Sequence, residues 1–125
     1  MYILGIDFGT KKLGLAILES TTQICSPLPL LQNDKEMWEN LQKVISEYRV
    51  THIILGLPSY EETAKKVERF KQNLLSKFAV NVDYSPEDLT SLTVKKQLTS
   101  KKQKQNLDSY SAVAILEQWA SSNIN

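Results

Sequence analysis

The sequence predicts an α/β fold: a mixed five-stranded sheet in the element order βββαβαβαα, with helices on its faces. Three observations carry this. The first thirty residues read as consecutive strands, which pair antiparallel when they follow one another through short turns. From about residue 51 onward short apolar strands alternate with amphipathic helices, and that alternation implies parallel pairing. No repeat, linker or low-complexity segment interrupts the 125 residues, so residues 1–125 are expected to form a single domain.

The elements follow in order. Tyr2 to Phe8 and Leu13 to Glu19 read as a hairpin pair joined by Gly9-Thr10-Lys11-Lys12. Gln23 to Leu31 is a third extended segment, and Pro27 and Pro29 confine it to an edge or irregular position. Asp34 is a candidate cap for a helix running to about Arg49, with Met37, Trp38, Leu41, Val44, Ile45 and Tyr48 in an apolar stripe of helical period. Thr51 to Leu55 is a short apolar strand ended by Gly56-Leu57-Pro58. Ser59-Tyr60-Glu61-Glu62 has the form of a capping box. The helix it opens runs to about Phe78, with Ala64, Val67, Phe70 and Leu74 on one face. Ala79 to Tyr84 is a strand, Ser85-Pro86 opens a helix from Glu87 towards Leu98, and Thr99 to Gln105 is a polar, lysine-rich loop. Asn106 is expected to cap a last helix carrying Tyr110, Val113, Ala114, Leu116 and Trp119.

Composition narrows the function. Lys and Arg number 15 against 14 Asp and Glu, a net charge of +1, so the chain as a whole is not a basic nucleic-acid coat. The charge is unevenly spread: from Ser91 to Asn125, Lys95, Lys96, Lys101, Lys102 and Lys104 face only Asp108 and Glu117. Such a stretch can contact phosphates, or simply keep a loop solvated. One cysteine, Cys25, excludes an internal disulfide and a cysteine-based zinc site; it reads as a small buried hydrophobe. One histidine, His52, opens an apolar strand and reads as structural, which argues against a histidine-based triad. No run is long and apolar enough to cross a bilayer, and Met1-Tyr2 lacks the basic leader of a secretory signal. A cytoplasmic protein with no membrane partner is expected.

Asp7 interrupts an apolar strand, and a buried charge is costly unless paired or bound to a cation. It is either a local turn-former or one arm of a metal site. Glu87 lies just after the last strand, at an end where ligands gather in open α/β sheets. Asp108 falls in the first turn of the last helix. Three carboxylates from three elements could converge on Mg2+ or Mn2+, whose hard oxygen ligands they supply. Acids are also common at helix starts for local reasons, because the helix dipole favours them there. The four glycines, Gly5, Gly9, Gly14 and Gly56, form neither a P-loop nor a dinucleotide fingerprint.

The opening Gly5-Ile6-Asp7-Phe8-Gly9-Thr10-Lys11-Lys12-Leu13-Gly14-Leu15-Ala16 resembles that of the YqgF family, ribonuclease H-like proteins known as Holliday-junction resolvases and as pre-16S rRNA nucleases. Three later blocks agree in order: Ile53-Ile54-Leu55-Gly56-Leu57-Pro58, Glu87-Asp88-Leu89-Thr90-Ser91, and Leu107-Asp108-Ser109-Tyr110-Ser111-Ala112-Val113-Ala114-Ile115-Leu116. The resemblance spans essentially the whole chain. It implies a ribonuclease H-like fold and a metal-dependent endonuclease. It makes Asp7, Glu87 and Asp108 the catalytic, metal-binding carboxylates, with Mg2+ or Mn2+ as cofactor. Lys104 matches a lysine common just before the final acid, and Lys12, Lys101, Lys102 and Lys104 are the expected phosphate contacts.

The implied partners are precursor 16S ribosomal RNA or branched DNA, together with ribosomal particles, the protein acting as a monomer or weak homodimer. The chain departs from the family at Asp88, where arginine is usual, at Pro86, where an acid is frequent, and at Lys12, where arginine is common. Lysine keeps the charge but loses the planar fork that grips phosphate bidentately. A catalytically silent nucleic-acid-binding or ribosome-assembly module is the alternative from another class. The opening also resembles the phosphate loop of actin-like ATPases and sugar kinases. Those need a second glycine-bearing lobe, and no glycine follows Gly56.

Overall fold

The computed structural model describes residues 1–56, 61–85 and 107–123. They contain β1 (Tyr2–Asp7), β2 (Lys12–Glu19), β3 (Ile24–Gln32), α1 (Met37–Tyr48), β4 (His52–Leu55), α2 (Glu61–Lys77), β5 (Asn81–Tyr84) and α3 (Leu107–Asn123). The strands form one sheet in the order β3-β2-β1-β4-β5. β1 pairs antiparallel with β2, and β2 with β3. β4 lies parallel to β1, and β5 parallel to β4. This is the mixed α/β sheet that the element order implied. The expected Ser59 capping box, the Glu87–Leu98 helix, the lysine-rich loop and the Asn106 cap lie outside the described residues.

Strand alternation sorts the core onto two faces. Leu4, Ile6, Leu13, Leu15, Ile17, Ile53 and Leu55 point to one side, where α1 contributes Met37 and Leu41 and α2 contributes Val67, Phe70 and Leu74. Ile3, Ala16, Leu18 and Ile54 point to the other, covered by Ala112, Ile115 and Leu116 of α3. Gly5 lets α3 come close: a Cβ there would stand 2.6 Å from Leu116 Cγ and 3.0 Å from the Ala112 carbonyl oxygen. Among the described residues no helix is long and apolar enough to cross a membrane.

Local chemistry moves several boundaries. Gln23 has φ 61°, a left-handed turn conformation, so β3 begins after it. Asp34 is not the cap of α1. Its Oδ1 accepts from the Glu36 N–H at 3.0 Å and its carbonyl from the Met37 N–H at 3.2 Å, a turn that delivers the chain to a helix starting at Met37. The helix ends at Arg49, φ 52°, whose N–H returns to the Ile45 and Ser46 carbonyls. On α3 the expected Leu116 is buried on the sheet, joined by Ala112 and Ile115, which the expected set lacked, while Val113 and Trp119 are partly buried against them. The run Ala112-Val113-Ala114-Ile115-Leu116 is apolar on every side, so periodicity alone could not choose its inner face. Cys25 is half-buried rather than buried, because β3 is an edge strand; burial, then Glu117, pushes its thiol up to about 11.

Candidate metal and nucleic-acid site

Asp7 is the last residue of β1 and is half-buried. Ile6 pairs with Leu55, and Leu55 with Tyr84. One step further, the Gly56 N–H donates to the Ile6 carbonyl at 3.2 Å and the Ser85 N–H to the Leu55 carbonyl at 2.8 Å. Asp7, Gly56 and Ser85 therefore form the row at the carboxyl ends of the three parallel strands, where α/β sheets place their ligands. Ser85 is buried, 5% exposed, and leads within two residues to Glu87, which lies outside the described residues.

Strand alternation puts Ile3, Gly5 and Asp7 on the α3 face. The direction of α3 then follows from its contacts. The Trp119 ring meets His52 edge-on at 5.3 Å, and His52 is the register partner of Ile3. Leu116 and Ala112 lie against Gly5. α3 thus runs antiparallel to β1, and its first turn reaches the Asp7 end. Position 108 is one turn before Ala112, and Asp7 is two residues beyond Gly5; both steps are about 6 Å. The backbone brings positions 7 and 108 to the same end and the same face of the sheet, while the side chain of Asp108 lies outside the described set. Among the described residues no group of three or more His, Cys, Asp or Glu side chains is gathered for a metal.

The turn after Asp7 is held from outside. A Cβ on Gly9 would run into the Lys12 carbonyl oxygen, so the turn demands glycine. Asn33 Nδ2 donates to the Gly9 carbonyl at 2.9 Å, and the Asn33 N–H to the Lys11 carbonyl at 2.8 Å. Asn33 had no signature in the sequence beyond an amide just past a strand. Lys12 opens β2 and is exposed. Asp7 pairs with Gly14, and Lys12, two residues before Gly14, shares its face, so Lys12 belongs to the same end as Asp7. Lys101, Lys102 and Lys104 lie outside the described residues.

Beside this row, the Tyr84 hydroxyl donates to Glu68 Oε2 at 2.6 Å, with Lys71 Nζ 4.9 Å above the Tyr84 ring. The Tyr84 bond, then one from Gln72, holds Glu68 below the usual carboxylate range. His52 stands at the opposite end of the sheet, with Nε2 2.7 Å from Asp83 Oδ2, in the structural role read from sequence.

The chain matches the RuvX family, described as Holliday junction resolvase, over residues 1–122. It is similar to proteins named pre-16S rRNA nuclease. One, from Vibrio vulnificus, is 32% identical over 94% of this chain and 93% of the relative. Another, from Wigglesworthia glossinidia brevipalpis, is 33% identical over 96% and 92%. The fold is similar to the Holliday junction resolvase of fowlpox virus, TM-score 0.58 at 17% identity over 98% of this chain and 99% of that one. It is equally similar to T. thermophilus RuvC in complex with Holliday junction substrate, TM-score 0.57 at 17% identity over 98% and 95%.

Proposed function

The chain belongs to the RuvX (YqgF) Holliday junction resolvase family, and from that membership we propose that it is a divalent-metal-dependent endonuclease that processes precursor 16S ribosomal RNA. The observation that carries the reading is that Asp7, at the carboxyl end of β1, and the backbone at the start of α3 lie at the same end and on the same face of the sheet. The active centre is assigned to Asp7, Glu87 and Asp108, within a single domain spanning residues 1–125 and working in the cytoplasm as a monomer or weak homodimer.

The donor set fits Mg2+ or Mn2+. Three carboxylates supply hard oxygen ligands, and Asp7 sits half-buried at the carboxyl end of β1. When bound, the ion supplies charge neutralisation at the phosphate being cleaved and at its leaving oxygen. The chain's own residues do the rest. Asp7, Glu87 and Asp108 would hold the cation, Asp7 from the carboxyl end of β1. Lys12 binds a phosphate from the same face. Lys101, Lys102 and Lys104 bring further cations to the backbone of the nucleic acid.

The family description favours a second substrate, the four-way DNA junction. Cleavage of labelled precursor 16S RNA and of a labelled four-way junction with Mn2+, wild type beside Asp7→Asn, separates the readings. Cleavage of the RNA that vanishes in Asp7→Asn is expected. Preference for the junction would replace the substrate. Absence of cleavage of either by folded wild-type protein would leave a silent binding module, with Asp88 the first residue to replace by arginine.

A further inference from the structure

We propose that the outer face of α2, through Lys65, Lys66 and Arg69, is a second nucleic-acid surface that grips the phosphate backbone of a double-helical arm leading into the Asp7 edge. The inference rests on the nuclease reading above. It assigns the part of the substrate that α2 holds.

The chain leaves the carboxyl end of β4 at Gly56 and enters α2 at Glu61. It comes back to the amino end of the sheet, where the Asn81 N–H donates to the Thr51 carbonyl at 2.9 Å. α2 therefore starts beside the row of Asp7, Gly56 and Ser85 and runs away from it. A ring contact fixes the face as well: Phe8, the residue after Asp7, packs on Phe70 of α2 with centroids 4.9 Å apart, so α2 covers the sheet face opposite α3, and the arm it holds crosses the carboxyl edge of the sheet to reach Asp7. Arg69 is next to Phe70 in sequence, and Lys65 and Lys66 lie about 6 Å nearer the start of the helix.

Charge comes next. Val67, Phe70 and Leu74 are buried against the sheet, while Lys65, Lys66, Arg69 and Asn73 are exposed. Lys65, Arg69 and Asn73 stand one turn apart along a single row, with Lys66 beside it. Among the described residues no carboxylate lies in ion-pair range of Lys65, Lys66 or Arg69. Glu68 faces the other flank, bound to Tyr84 and Gln72. Lys77 is drawn over the Trp38 ring at 5.2 Å and so is turned away from the row. Glu61 and Glu62 stand one turn before Lys65 and Lys66, and their side chains lie outside the described set. Like charges one turn apart, as in Lys65 and Arg69, destabilise a helix slightly, and a bound polyanion removes that cost. The neighbouring helix α1 carries Lys43 against Glu39 and Glu47, so the cationic surface belongs to α2.

The occupant is a duplex rather than a single strand. Single-strand surfaces stack bases on exposed aromatic rings. The α2 row has none, since its one aromatic, Phe70, is 4% exposed and turned inward. A straight row of cations with no carboxylate partner among the described residues, and an amide among them, suits phosphates and carries no base readout.

The test is a binding measurement in the Asp7→Asn background, which separates binding from cleavage. The probes are a short RNA duplex ending in a single strand and the same strand alone. Lys65→Gln, Lys66→Gln and Arg69→Gln are combined, and Lys35→Gln with Lys43→Gln serves as the control for lost charge. The α2 triple variant is expected to lower duplex affinity at least tenfold and to shallow the slope of log K against log salt by about one for each lost phosphate contact. Lys65→Arg with Lys66→Arg is expected to bind like the parent. In the cleaving background the triple variant raises KM and leaves kcat unchanged. A triple variant with the parent's slope overturns the proposal. So do equal losses for duplex and single strand, a control that loses as much as the triple, or a parent that binds no duplex. Failure of the nuclease reading is read separately, as binding by wild-type protein without Mn2+-dependent cleavage.

Discussion

Asn33 Nδ2 donates to the carbonyl oxygen of Gly9 at 2.9 Å, tying the residue just past β3 to the turn that follows Asp7. A second bond, from the Asn33 N–H to the Lys11 carbonyl, completes the clamp. The turn sets the direction in which β1 ends and β2 begins, so Asn33 is a positioning residue for Asp7 and Lys12.

Asn33→Ala is expected to cost about 1 kcal/mol, the usual net worth of one part-buried hydrogen bond, in urea unfolding. In the nuclease assay it lowers kcat and raises KM, since the turn it holds positions both Asp7 and the phosphate-binding Lys12. An unchanged kcat in a protein destabilised by that amount would show the clamp to be structural alone.

Gly5→Ala places a Cβ 2.6 Å from Leu116 Cγ and 3.0 Å from a backbone carbonyl that cannot yield. Overpacking of this kind costs about 1–3 kcal/mol. Leu116 is fully buried, so Leu116→Ala alone costs about 2–5 kcal/mol. The double variant should be less unstable than the sum of the two, because each relieves the other's misfit. Additive losses would mean that α3 does not press on Gly5.

Tyr84 makes stability fall at high pH. Burial, then the hydrogen bond to Glu68, raises its hydroxyl from 10.0 to about 12. The folded chain keeps this proton while the unfolded chain loses it, so the contribution is present below pH 10 and disappears as pH rises to about 12. Tyr84→Phe should flatten this alkaline limb in urea midpoints against pH. An identical limb in both proteins would remove Tyr84 as its source.

Glu19 acts at the acid end. The Thr22 N–H, 2.7 Å from its Oε2, holds the carboxyl at about 2 against an ordinary 4.5. The unfolded chain takes up a proton first, so the contribution is complete above pH 4.5 and is lost as pH falls to about 2. The Glu19 side-chain carboxyl resonance should titrate with a midpoint near 2, and Glu19→Gln should remove part of the acid limb. A midpoint near 4.5 would show that the Thr22 bond does not persist in solution.

Much of the fold was legible because its signals are local. Asp7 inside Tyr2–Asp7 stands out as a charge among apolar residues, and Pro27 and Pro29 marked β3 as an edge strand. The stripes of α1 and α2 were legible for the same reason, each apolar on one side only. The inner face of α3 was not, because five successive apolar residues carry no period. Asp34 misled as a cap because an Asp can serve the turn before a helix as well as its first turn.

The sequence by itself determined which residues are chemically able to act: a carboxylate at the end of an apolar strand, further acids where helices were expected to begin, a glycine turn and a kindred family. It also determined the order of strands and helices, since alternation and turn residues are properties of neighbours along the chain. Only the tertiary structure decided what stands beside what. That α3 runs antiparallel to β1, bringing position 108 to the Asp7 end, depends on the packing of Leu116 and Ala112 against Gly5. That Asn33 holds the Gly9 turn, and that the cations of α2 begin at the same edge, are pairings between segments far apart in sequence. Such pairings arise when sheet register and helix burial are satisfied together, and no local pattern records them.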